Sequence, residues 1–427
     1  MKQYPGYKDS GIEWIGKIPV SWTIKKLKWV CVFNYGESLA DINRDIGSVQ
    51  VFGSNGVIGY HNIAITSNPC IIVGRKGSYG KINYSYNPCF PIDTTFFIDI
   101  TSTKSNLRWL YYSLKLLELD KLSKDSAVPG LSREDAYKKI IPLPSIDIQK
   151  GIAYFLDRKT TQIDELINKK QRLIELLKEQ RAAVINRAVT KGLNPNAPMK
   201  DSGIEWLGKI PQHWEIKKLK YICVILGRIG FRGYKSSDLV PKGEGAITLG
   251  ATHITKDNKI SLLEPVYISW EKYYESPEIM VKKNDIVFSQ RGAYLGKVGL
   301  IELDYGDMTI NPSLILLKEI KINSGYLSYY LSGDYIRKIV DIISSSTAIP
   351  MISQEQLSNF ICLLPPISEQ TAIKEFIEKE TLRIDRIITK TEKEIELLKE
   401  YRTALISEAV TGKIDVRDFG PDRNNSR

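Results

Sequence analysis

The chain has 427 residues, too many for one ordinary core, so two or three domains are expected. With 43% hydrophobic and 26% charged residues, it is neither a disordered nor a collagen-like nor a membrane-embedded polypeptide. Sixty Lys and Arg against 49 Asp and Glu leave a net charge of +11, which suits a polyanionic partner but also a basic surface that merely aids solubility.

The opening stretch MKQYPGYKDSGIEW lacks the apolar core of a signal peptide, and no 18-residue apolar run occurs, so neither secretion nor a membrane span is indicated. Five sparse cysteines without a C-x-x-C pair suit a reducing compartment, and a cytoplasmic protein is expected.

KDSGIEWIGKIPVSWTIKKLK at Lys8 to Lys28 recurs as KDSGIEWLGKIPQHWEIKKLK at Lys200 to Lys220, with 17 of 21 positions identical. Further on, AVPGLS at Ala127 to Ser132 is matched by AIPMIS at Ala348 to Ser353, and IELLKEQRAAVINRAVT at Ile174 to Thr190 by IELLKEYRTALISEAVT at Ile395 to Thr411. The first repeat has an offset of 192 and the others 221, so the second copy holds 29 extra residues between fixed ends. So long a period excludes a solenoid of short repeats and implies a duplicated domain followed by a helix.

The globular parts contain strand-like runs, CIIVG, FFIDI, DIVF and LILL, bounded by Gly, Pro, Asn and Asp, which predict α/β or α+β domains. The expected layout is one such domain over 1–143, a long helix over 144–192, a linker over 193–199, the second domain over 200–365, a second long helix over 366–413 and a loose polar tail over 414–427.

Each helix is expected to begin after a proline, Pro144 or Pro366, with Ser145 or Ser368 accepting from the first free N–H groups, and to end near Gly192 or Gly412. Apolar residues then step by seven: Leu156, Ile163, Leu177 and Val184 in the first, Ile377, Ile384, Leu398 and Leu405 in the second. Ile152, Ile167 and Ile174, with Ile373, Ile388 and Ile395, widen each row into a stripe. A helix of roughly 45 residues is about 65 Å long, and so long a stripe needs a partner. Two duplicated stripes facing each other as an antiparallel coiled coil, with the halves related by a pseudo-twofold axis, satisfy both. Lys170 and Thr391 interrupt the rows at the same step and would meet in such a pair, either as a polar layer that sets register or as a snorkelling lysine beside a small hydroxyl.

Catalytic signatures are sparse. His61, His213 and His253 share no metal-ligand spacing, and no zinc site is expected. FGSNGVIGYH at Phe52 to His61 matches neither a Walker loop nor a dinucleotide fingerprint and reads as glycine turns between strands, or as a loop that approaches nucleic acid. Asp307 with Glu319 and Lys321 has a nuclease-like spacing, but the first half has no counterpart.

A basic and aromatic set remains. GRKGSYGK at Gly74 to Lys81 aligns with QRGAYLGK at Gln290 to Lys297 after one inserted residue, so Lys76 matches Arg291, Gly77 matches Gly292 and Tyr79 matches Tyr294. Arg75, Lys76, Ser78, Tyr79 and Lys81, with Gln290, Arg291, Tyr294 and Lys297, can reach phosphates and base edges; the same strings also fit a tight hairpin whose tyrosine covers a sheet. Ser54 and Asn55 in the first half, with Arg228, Arg232, Tyr234, Lys235 and His253 in the second, complete the DNA-contact candidates.

The pair DSGIEWIGKIPVSW and DSGIEWLGKIPQHW, with IPLPSIDIQ and LLPPISEQ opening the long helices, resembles the specificity subunits of type I restriction-modification systems from Lys8 to about Lys413. The resemblance implies two target-recognition domains that each read half of a bipartite double-stranded DNA sequence, with two antiparallel helices as a spacer. It implies two modification subunits that bind S-adenosylmethionine and restriction subunits that use ATP and Mg2+, with no catalysis, metal or cofactor in this chain. Consistent with that, no N-P-P-Y or D-P-P-Y signature occurs; Asn87 to Phe90 is NPCF. The competing readings are a single-chain DNA methyltransferase or nuclease, and a coiled-coil adaptor without DNA contact.

Overall fold

The computed structural model describes residues 2–122, 129–205, 207–228, 233–255, 257–345 and 350–419. Two compact units result, residues 1–171 with 392–427 and residues 172–391, so the division passes through both long helices rather than at their ends.

In the first unit β1 (Tyr7–Asp9) and β2 (Lys17–Pro19) form a hairpin, followed by β3 (Thr23–Lys26). β4 (Asn34–Tyr35), β5 (Val49–Gly53), β6 (Gly56–His61), β7 (Cys70–Gly74), β8 (Ile82–Ser85), β9 (Phe90–Pro91) and β10 (Thr95–Asp99) build two sheets, ordered β4-β10-β7-β8 and β6-β5-β9. Helices α1 (Leu107–Lys115) and α2 (Arg133–Lys138) follow, then β11 (Ile140–Leu143), antiparallel to β3, and helix α3 (Ile146–Lys191).

The second unit repeats this order. β12 (Met199–Asp201) and β13 (Lys209–Pro211) form the hairpin, and β14 (Glu215–Lys218) follows. β15 (Val224–Gly227), β16 (Leu239–Val240), β17 (Gly245–Leu249), β18 (Tyr267–Ser269), helix α4 (Trp270–Tyr274), β19 (Ile286–Ser289), β20 (Val298–Leu300), β21 (Met308–Ile310) and β22 (Leu314–Lys318) give sheets ordered β15-β22-β19-β20 and β16-β18-β17-β21. Then come α5 (Ser324–Leu331), α6 (Asp334–Ser345), α7 (Gln354–Ser358), β23 (Ile361–Leu364), antiparallel to β14, and α8 (Ile367–Val410).

The four apolar runs are strands, and β7 is buried along its whole length, which explains why its sequence does not alternate. Each unit also has one parallel pair in its second sheet, β5 with β9 and β17 with β21. Tyr35 and Gly227 end equivalent edge strands, and Lys76 and Arg291 stand in equivalent loops; 41 residues separate Tyr35 from Lys76 and 64 separate Gly227 from Arg291. Most of the extra length therefore enters the second sheet, through β16 and α4.

A buried glutamine joins each domain to its long helix. Gln149 accepts from the Asn106 N–H (2.8 Å) and donates to the Pro144 carbonyl (2.9 Å); Gln370 does the same with Asn323 (2.9 Å) and Pro365 (2.8 Å). Asn106 and Asn323 in turn cap α1 and α5. Ser145 holds the cap position of α3, but Pro366 holds that of α8, leaving Ser368 inside the first turn rather than at the cap. Gly192 and Gly412, at φ +73° and +77°, end the helices in the left-handed conformation.

The apolar stripes are buried where the helices meet. In the first unit Leu156 and Ile163 are buried on α3 and Leu405 on α8, with Leu398 half-buried. Asp164 takes a bidentate pair from Arg402 (2.9 and 3.1 Å), and Lys170 donates to Glu394 (2.5 Å). Six residues forward on α3 thus correspond to eight residues back on α8, so the segments run antiparallel. In the second unit Leu177, Ile377 and Ile384 are buried, and Arg181 meets Asp385 (3.2 Å), the duplicate of the Arg402–Asp164 pair. The polar step is met differently from expectation: Lys170 pairs with Glu394, and the Thr391 hydroxyl donates to Ile387 of its own helix (2.8 Å). Val184 is only half-buried, because a 3.6-residue helix drifts off a seven-residue row; Ile185, Ala188 and Val189 face the core of the second unit instead.

Of the tail expected to be loose, residues 414–419 are packed, and 420–427 lie outside the described residues. Val416 is fully buried, the Asp415 N–H donates to the Lys2 carbonyl (2.9 Å), and Arg417 lies 5.1 Å from the Tyr4 ring centre. Ile414 and Val416 are buried and Phe419 packs edge-on to Phe155 at 4.9 Å, so apolar contacts hold these residues down despite their charge.

One cation site is conserved in effect but not in sequence. Arg108 on α1 lies 4.6–5.5 Å from the rings of Tyr84, Tyr86, Tyr111 and Tyr112 and pairs with Asp157 on α3 (2.6 Å). At the equivalent place in the second unit stands Gly325, and Lys374 reaches over it to pair with Glu378 (2.9 Å). Arg108→Ala is expected to cost the first unit about 1–3 kcal/mol, since both the stacking and a partly buried pair are lost. Urea unfolding followed by tyrosine fluorescence measures it; a change below about 0.5 kcal/mol, the range of ordinary surface substitutions, would contradict the assignment.

No helix among the described residues is long and apolar enough to cross a membrane.

Candidate nucleic-acid interface

The duplicated loops cap the hairpins β7–β8 and β19–β20, and their backbones bond alike. The Gly74 N–H donates to the Lys81 carbonyl (2.8 Å) and that of Gly80 to the Gly74 carbonyl (2.8 Å); Ser289 with Lys297 and Gly296 with Ser289 repeat both bonds at 2.8 Å. Gly77 and Gly292 (φ +70° and +78°), like Gly80 and Gly296 (+73° and +80°), hold left-handed positions that side chains disfavour. The turn chemistry is therefore a property of the frame, and the residues between the glycines are free to differ.

A second repeat locks each loop in place. The Arg75 N–H donates to Thr94 (2.8 Å) while its carbonyl accepts from Leu131 (2.8 Å); Gln290 does the same with Ser313 and Ile352 (both 2.9 Å). Leu131 and Ile352 belong to the AVPGLS and AIPMIS segments, whose Ala127, Val128, Ala348 and Ile349 lie outside the described residues. Beyond them Ser132 and Ser353 cap α2 and α7. The sequence does not join these repeats to the loops, because their offset is 221 and that of Lys76 and Arg291 is 215.

Several candidates sit on the loop surface. Lys76 and Ser78 are exposed in the first unit, and Arg291 and Tyr294 in the second. Lys81 bonds Asn55, so the β5–β6 turn adjoins the loop, while Lys297 lies 4.2 Å from the Tyr294 ring centre. Tyr79 is half-buried, unlike its counterpart Tyr294. Lys235 is exposed and Tyr234 half-buried, while Arg232 lies outside the described residues.

Three candidates are structural instead. The Ser54 hydroxyl is buried, 2.6 Å from the Lys76 carbonyl and 2.7 Å from that of Thr94, so it fastens the β5–β6 turn to the loop. Arg228 is buried with Nε on the Ile310 carbonyl (3.0 Å), and that burial pulls its pKa below the usual guanidinium range. His253 is buried too, with Nδ1 accepting from the Gly250 N–H (2.8 Å) and Nε2 donating to the Glu264 carbonyl (3.2 Å). Short polar side chains near glycine turns serve turn geometry as readily as ligand contact, which the sequence does not separate. Of the nuclease-like trio, Asp307 accepts from the Tyr273 hydroxyl (3.2 Å).

Residues 19–176 and 211–397 match the family model described as the type I restriction modification DNA specificity domain, one match in each half of the chain. The chain belongs to the type I restriction-modification specificity-subunit family. It is 28% identical over 321 residues to the MjaVIII specificity subunit of Methanocaldococcus jannaschii, spanning 73% of this chain and 71% of that one. With the EcoBI specificity subunit of Escherichia coli it shares 23% over 351 residues, 81% and 73% of the two chains. Among solved structures, a chain from a study of assembly and conformational transition in a type I R-M system superposes with a TM-score of 0.71 at 16% identity, covering 93% of this specificity subunit and 99% of that chain. The HsdS subunit from Thermoanaerobacter tengcongensis gives 0.57 at 16% identity, covering 93% and 98%; these likenesses concern the fold.

Proposed function

We propose that each unit of this specificity subunit reads one half of a bipartite DNA duplex through its hairpin loop and the repeated segment beside it, and that the chain carries no catalytic centre of its own. The observation that supports this best is the recurrence of one backbone frame, bond for bond, presenting an exposed Lys76 in one unit and an exposed Arg291 in the other. Reading two half-sites with one fold requires a constant frame and variable side chains, and this frame keeps its glycines, its tyrosine (Tyr79, Tyr294) and its last lysine (Lys81, Lys297), while Arg75, Lys76 and Ser78 give way to Gln290, Arg291 and Ala293.

Modification and restriction subunits are the expected partners, two of the former carrying S-adenosylmethionine and the latter using ATP and Mg2+, in the cytoplasm. Methylome sequencing of a host expressing the chain with its modification partner tests the reading. A methylated motif in two parts separated by unspecified bases is expected. An undivided motif, or methyl transfer by the purified chain alone, would overturn it.

A further inference from the structure

Two positions beside the duplicated loops have changed together between the units. Because Leu131 and Ile352 make the same bond to Arg75 and Gln290, Ser132 is equivalent to Ser353 and Arg133 to Gln354, each the first residue of its capped helix. Likewise Thr94 and Ser313 are equivalent, which makes Tyr35 on β4, opposite Phe96, equivalent to Gly227 on β15, opposite Ile315.

In the first unit the Arg133 guanidinium lies 5.0 Å from the centre of the Tyr35 ring, and Arg75 lies 4.9 Å from the same centre. Arg75 is tethered by its NH1 to the Asp93 carbonyl (3.0 Å). In the second unit the aromatic is gone and Gln354 lies across Gly227; a methyl group there would stand 2.6 Å from its Nε2. Gln290 makes the equivalent tether, from Nε2 to the Pro312 carbonyl (2.8 Å). The platform and the side chain upon it are thus matched: tyrosine carries arginine, and bare glycine makes room for glutamine. Arg133 forms no ion pair among the described residues, and Tyr35 is 47% exposed, so the stack opens to solvent beside the loop.

A planar guanidinium held by stacking keeps its edge N–H groups for a bidentate acceptor, which in the major groove is guanine O6 and N7; a glutamine amide matches adenine N6 and N7. Resting on the DNA-reading function above, we propose that Arg133 selects a guanine in the half-site of the first unit and Gln354 an adenine in that of the second. We assign Arg75 and Gln290 as positioning residues, since each is anchored by one N–H group to a carbonyl of the adjoining turn.

Selection of bound duplexes from a random library by the complex with modification subunits, repeated for Arg133→Gln, Arg133→Lys and Gln354→Arg, tests this. In wild type, guanine is expected at one position of one half-site and adenine at one position of the other. Arg133→Gln and Arg133→Lys should each relax that guanine about tenfold to a hundredfold, leaving the other half-site intact, and Gln354→Arg should relax only the adenine. Arg133→Lys keeps the charge, so unchanged base preference in it, with uniformly weaker binding to all duplexes in Arg133→Gln, would overturn the proposal by making Arg133 a phosphate contact. That result leaves the bipartite reading standing, whereas a wild-type complex that selects no motif removes the reading itself and the proposal with it.

Discussion

Alanine at Trp214 is expected to destabilise the second unit by about 3–5 kcal/mol, and alanine at Trp22 the first unit by a similar amount. Both indoles are fully buried, and both come from the duplicated entry motif. Trp214 packs in one core with Leu219 and Ile210 and with Ile185, Val189, Ile373 and Ile377 of the long helices, and its Nε1 donates to Glu369 (3.1 Å). Trp22 packs edge-on to Tyr4 at 5.7 Å and against the Gly412 turn that ends α8. Each tryptophan is thus the piece that seats a helix end on its own domain. Hydrogen exchange provides the measurement: Trp214→Ala should speed exchange most in β14, β23 and the first turns of α8, and Trp22→Ala in β3, β11 and residues 405–416. Equal loss of protection throughout the chain for either variant would contradict a domain-local role.

Neutralising the loop cations should lower the salt dependence of DNA binding in steps. Lys76→Ala and Arg291→Ala are each expected to reduce the slope of log K against log salt by about one, and the double variant by about two. The argument is that both side chains are exposed at equivalent points of one frame, where a cation displaces counterions from phosphate. Filter binding between low and physiological salt reads the slope directly. An unchanged slope in the double variant would place the phosphate contacts elsewhere on the domains.

Much of this architecture was legible before any coordinates. A duplicated entry motif and two heptad-like rows announce their partners, since burial of a long stripe has few solutions, and the antiparallel pairing with its twin Arg–Asp bridges is one of them. Unbroken apolar runs such as CIIVG told of strands, and it is the structure that shows β7 buried along its whole length. Site residues were harder. Ser54, Arg228 and His253 have the chemistry of ligand contacts but are consumed by carbonyls, and composition does not distinguish a hydroxyl that faces solvent from one that ties two sheets.

The matched pairs were out of reach for a related reason. Tyr35 and Arg133 stand 98 residues apart and Gly227 and Gln354 127, and Gly325 and Lys374, 49 apart, carry no sequence signal that would join them to the Arg108 site. By itself the amino-acid order determined the duplication, the strands and the two paired helices, because these follow from repeated words and from the period of apolar residues. Which polar groups remain at the surface, and which cation stands on which platform, was decided only when distant segments packed, because burial is a property of the assembled neighbourhood and not of the residue.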